Sequence, residues 1–160
     1  MSNISSDRVI IRVLLNIQLI VLTLWVGGLW TVGYLVAPVL FHLLQNPQLA
    51  GQIAGELFIL MSWLGLASVL VLTVIYSFLD REKWRFLVLF LMAALIATNL
   101  LYLTPEIAGL RDMAGGAIEK GTEIHNRFAI LHGIASGLYL LVSLLGLLLV
   151  IRQPEKSLLL

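Results

Sequence analysis

His132 is the only histidine inside an apolar run of this chain, and it defines the chemistry to look for. An imidazole in hydrocarbon can ligate a metal ion or haem iron, or carry a proton. It can equally be structural, hydrogen-bonded to Asn99, Thr31 or Ser136, and such interhelical bonds are worth only about 1 kcal/mol. Thr31, Met61-Ser62 and Asn99 fall level with His132 when the apolar runs are aligned at one end, roughly 7 Å in at 1.5 Å per residue. Glu56 stands at the entry of the second run. A carboxylate there can accept a hydrogen bond, gate an outer opening or simply face water. The ligand-binding candidates are therefore His132, Asn99, Glu56, Thr31 and Ser136. Met61 is the second donor that haem or copper at His132 would use, although methionine is far more often packing. His125 lies seven residues before His132, ~10.5 Å along a helix, too far to share one metal ion. His42 projects beyond the membrane. There is no glycine-rich phosphate loop, HExxH or GxSxG, and no pair of carboxylates in a membrane-level cleft, so the chain reads as a non-enzyme.

The elements that must position these residues are membrane helices. The chain has 160 residues, 60% hydrophobic and 12% charged, with a mean hydropathy of +1.01. So few charges cannot cover a soluble globule, and a disordered chain needs low hydrophobicity. Zero cysteines exclude disulfides, thiolate metal sites and iron–sulfur clusters, and a net charge of +1 gives no case for nucleic acid. Apolar runs cover Val13 to Val36, Leu57 to Leu79, Phe86 to Leu103 and Phe128 to Ile151. Each reaches or approaches the ~20 residues that cross a ~30 Å hydrocarbon core as a helix. Asn46-Pro47 reads as an N-cap with proline at the first helical position. Thr104-Pro105 repeats that pattern, and Gly115-Gly116 reads as a helix stop. Pro38 should kink the first helix.

The sequence thus predicts an all-α, integral membrane four-helix bundle, one domain over 1–160. Its helices run about 9–44, 47–79, 84–103 and 117–151, with a short outer helix at about 105–113. Seven of the ten basic residues (Arg8, Arg12, Arg81, Lys83, Arg85, Arg152 and Lys156) fall on one side, with Arg111, Lys120 and Arg127 on the other. That bias puts both termini in the cytoplasm and the long hairpin of helices 1 and 2 outward. The Asp80–Arg85 run reads as a solvated turn. Gly133-x-x-x-Gly137 and Gly51-x-x-x-Gly55 offer small-residue faces for close helix packing, within the bundle or in a homo-oligomer in the lipid bilayer.

Two stretches resemble a known family. In the first, Trp25, Gly27 and Gly28 are followed by Ala37, Pro38, Leu40 and Phe41. In the second, Phe128, Leu131 and His132 are followed by Ser136. They resemble the small four-helix membrane proteins grouped as a domain of unknown function. That family includes a eukaryotic transmembrane protein linked to cisplatin resistance. It is distantly similar to the membrane domain of bacterial copper-resistance proteins. The resemblance implies four helices, a bacterial inner (cell) membrane and a site around Pro38 and His132, but no substrate. Three functions stay open: a protein whose outward-facing polar pocket around Asn99, His132 and Glu56 binds or helps move a small molecule or metal ion, a haem or copper redox protein, and a structural subunit of a membrane complex.

Overall fold

The computed structural model describes residues 2–79, 82–115 and 118–153. Arg81, Gly116, Ala117 and Lys156, named above for charge bias and helix ends, lie outside the described residues. Four long helices account for nearly all of the rest, with no strand among the described residues. The first, α1, covers residues 2–43. It is α-helical over Ser2–Thr31, turns π-helical over Val32–Val36 and is α-helical again over Ala37–Leu43. The second, α2, is Pro47–Leu79. The third, α3, is Lys83–Ala114, and the fourth, α4, is Glu123–Ile151. All four are long and apolar enough to cross a membrane, which makes this an all-α membrane bundle.

The boundaries follow from local chemistry. Leu44 leaves the helix with φ −86° and ψ 122°. The Asn46 side-chain oxygen then accepts from the backbone N–H groups of Gln48 and Leu49, at 3.0 and 3.1 Å. It supplies two of the donors that a helix start leaves unpaired. Gly115, at φ 61°, ends α3.

Two expectations are corrected. Thr104–Ala114 is α-helical and ends at Gly115, close to the expected 105–113, but it is not separate from the third span, because a π-helical turn at Asn99–Leu103 joins the two. In a regular helix the Pro105 ring would strike the Leu101 carbonyl one turn back. The wider turn, closed by Thr104 N–H to Asn99 C=O, accommodates it. The Val32–Val36 turn stands in the same relation to Pro38, closed by Ala37 N–H to Val32 C=O. The fourth helix starts at Glu123 rather than about 117. Gly121 has φ 86° and Thr122 is extended, its hydroxyl accepting from His125 N–H at 3.1 Å.

Lipid tails are as apolar as leucine, so close packing rather than escape from water must hold the helices together. The largest fully buried side chains lie from the middle of the bundle toward the chain termini, while the smaller Ala50 and Ala54, with Leu103, Ile107 and Leu110, are buried toward the Asn46 turn. Among the former, Leu22, Trp25, Leu72, Tyr76, Leu89, Met92 and Leu149 are fully or almost fully buried. Gly65 lets α2 approach α1, because a Cβ at that position would sit 3.0 Å from the Trp25 indole nitrogen. Arg85 is also buried, 3% exposed, against the Tyr76 and Trp84 rings at 5.2 and 4.9 Å, and 3.5 Å from Glu82. It is not part of a solvated turn. Gly133 and Gly137 do not pack against a helix of this chain, since a Cβ at either would meet nothing within 4 Å.

Candidate functional site

The half of the bundle that carries the Asn46 turn is open. A cavity of ≈ 590 Å³ is walled by all four helices, a volume typical of small-molecule sites. Tyr139 forms its floor. Its hydroxyl donates to the Leu29 carbonyl of α1 at 2.8 Å, and its ring meets Phe58 of α2 edge-on at 4.9 Å between centroids. A Cβ at Gly33 would collide with the same ring, so glycine there lets Tyr139 lie against α1. On the Asn46 side of this tie, Ala37–Leu43 packs principally on α2. Tyr34 on α1 and Ser136, Gly137 and Leu140 on α4 are exposed lining residues, so the cavity opens sideways between α1 and α4.

Four of the five expected ligand-binding residues line this cavity: Glu56, Asn99, His132 and Ser136. Asn99 lies in the π-helical turn of α3 and donates its amide to the Ala135 carbonyl at 3.3 Å. The Ser136 hydroxyl donates to the His132 carbonyl at 2.8 Å, which leaves its oxygen free to accept. His132 stacks on Phe128 one helical turn away, with ring centroids 5.7 Å apart and planes 4° from parallel.

Thr31 and Met61 are placed elsewhere. Thr31 is exposed on the outside of α1 and does not line the cavity. Met61 is buried against Gly28 and lines a separate void of ≈ 10 Å³, about the size of one water probe. Asn99 and Tyr139 line both spaces and form the wall between them. His132 and Met61 therefore line different spaces. Among the described residues no three His, Cys, Asp or Glu side chains cluster as a metal site. Of the family-motif residues, Trp25 is in the core, Gly28 seats Met61, Gly27 meets nothing within 4 Å, Ala37 is buried and Pro38 is exposed. Phe41 and His132 line the cavity, Phe128 supports His132, and Leu131 is half-buried.

Arg111 is the residue that sequence reasoning missed. The sequence places it only among the outer-side basic residues, within the expected short helix at about 105–113, yet it is half-buried and lines the cavity. Its guanidinium donates to the Gly51 carbonyl at 3.3 Å and lies 5.6 Å from the centre of the Phe128 ring. Cβ atoms at Gly51 and Gly55 would sit 3.4 and 3.7 Å from its terminal nitrogens. The Gly-x-x-x-Gly face of α2 thus seats a guanidinium rather than another helix.

Comparison with curated proteins and with solved structures finds no match. A family match covers residues 20–115. It takes in α1 from Ile20, all of α2 and α3, and the first of the two motif stretches, while the Phe128–Ser136 stretch lies beyond it. As the match covers more than half of the chain, this protein belongs to the family described as domain of unknown function DUF4149.

Proposed function

We propose that this membrane protein is a binding protein, which receives a small molecule with an apolar part in the cavity between its four helices. The carrying observation is the cavity itself: ≈ 590 Å³, lined by apolar side chains such as Phe41, Phe58, Ile59 and Leu140 and by a few polar ones, Arg111, His132, Asn99 and Glu56. That division of labour is what ligand sites need, with apolar walls for affinity and a few polar groups for orientation. The basic-residue bias supports an orientation with both termini in the cytoplasm, so the cavity faces outward from a bacterial inner membrane. The resemblance to copper-resistance membrane domains makes a metal ion the alternative cargo, with His132 as its first ligand.

The test uses a mid-chain diazirine fatty acid as probe, photolysed with the protein in its native membrane. Labelling is expected to concentrate on the peptides bearing residues 51–59 and 132–140. Gly137→Trp should abolish that labelling without unfolding the bundle, because a side chain there meets only open space. Labelling spread evenly over lipid-facing residues such as Leu70 and Phe90 would contradict the reading.

A further inference from the structure

The cavity brings charges of both signs together. Arg111, Glu56 and Asp112 all line it, and none forms an ion pair among the described residues. Charged groups at the edge of an apolar bundle are costly unless something balances them. Arg111 spends one hydrogen bond on the Gly51 carbonyl and keeps the rest of its planar fork for an oxyanion. Glu56 and Asp112 supply the opposite sign on the same lining. A purely anionic guest would meet two carboxylates, and a purely cationic one would meet the guanidinium. A head carrying both signs satisfies all three.

The shape adds the second half of the ligand. Arg111 lies beside Phe128, where the apolar run of α4 begins. The floor at Tyr139 is eleven residues further along, about 16 Å deep, close to the middle of a ~30 Å hydrocarbon core. The opening between α1 and α4 faces sideways, past Tyr34 and Leu140, toward where acyl chains lie. We infer that the cavity accepts a zwitterionic amphiphile, a phosphate ester bearing an ammonium group. Its phosphate rests on Arg111, its ammonium on Glu56 or Asp112, and its acyl chain enters between α1 and α4 down to Tyr139. This deepens the binding function proposed above and rests on it.

The experiment is native mass spectrometry of the purified full chain with an equimolar mixture of phosphatidylethanolamine, phosphatidylglycerol and diacylglycerol of one chain composition. Wild type is expected to retain phosphatidylethanolamine about tenfold over either of the others, the ratio that about 1.4 kcal/mol of head-group discrimination gives. Glu56→Gln should erase the preference for phosphatidylethanolamine over phosphatidylglycerol, and Arg111→Gln the preference for phospholipid over diacylglycerol. Equal retention of all three by wild type, which needs no variant to fold, indicates annular lipid and overturns the inference. So does preference for phosphatidylglycerol. Displacement of bound lipid by free phosphoethanolamine would assign the site to a soluble zwitterion and overturn the acyl-chain part. Gly137→Trp separates the two proposals. If lipid preference survives that variant, the head group is read elsewhere and the cavity proposal fails. If preference is absent while the diazirine probe still labels the cavity, only the zwitterion inference fails.

Discussion

Tyr139 ties three helices at one point: its hydroxyl to the Leu29 carbonyl, its ring edge-to-face with Phe58, and its Cε1 edge against Gly33. Tyr139→Phe should lower stability by about 1 kcal/mol, the worth of one interhelical hydrogen bond. Gly33→Ala should cost more, about 1–3 kcal/mol, because the new methyl group and the ring cannot share the space. Thermal unfolding of both variants in one detergent checks the order, and a Gly33→Ala melt equal to wild type would mean the ring is not wedged. At this scale the sequence was informative about depth. The 1.5 Å rise placed Asn99 and His132 level with each other, and both reach the cavity. It was not informative about which way a side chain points around the helix. Thr31 faces the outside of α1, and Met61 packs against Gly28 beyond the Tyr139 wall, because neighbouring helices, not local pattern, set where each side chain ends up. Arg111 was hidden for a related reason. A charge beyond an apolar run looks solvated until the glycines of another helix are known to lie beneath it.

The two prolines act at the scale of the element. Each follows a π-helical turn by two residues, in α1 before Pro38 and in α3 before Pro105. A wide turn inserts one extra residue, so everything beyond it is rotated by about 100° relative to a regular helix. In α3 that rotation directs Arg111 toward Gly51. Pro105→Ala removes the ring that demands the wide turn. The variant is expected to be at least as stable as wild type, to lose the Arg111 contact and to label severalfold less with the diazirine fatty acid. Unchanged labelling would show that packing rather than proline sets the turn. The four helices themselves were legible from apolar run length, and the all-α bundle follows from them. The continuity of α3 was not legible, because Thr-Pro normally signals a start. Only the π-helical turn, invisible to hydrophobic pattern, lets a helix pass through it.

Across the whole molecule, tight and loose packing divide the bundle. The half toward the termini is closed by Trp25, Tyr76, Met92 and Leu149, with Arg85 held between Tyr76 and Trp84. The half toward Asn46 leaves ≈ 590 Å³ among the four helices. On the reading proposed above, this open half forms a water-accessible cavity on the outer side of the membrane. The chain has no cysteine, so a single introduced thiol reports without background. The decisive measurement is the labelling of Ser136→Cys in intact cells by a membrane-impermeant maleimide, beside Gln45→Cys, Lys83→Cys and Phe90→Cys. Ser136 lies eight residues past Phe128, about 12 Å into the apolar run. Ser136→Cys and Gln45→Cys should react from outside, Lys83→Cys should react only after permeabilisation, and Phe90→Cys should stay unreactive. Ser136→Cys as inert as Phe90→Cys, or reactive only from the Lys83 side, would contradict that reading.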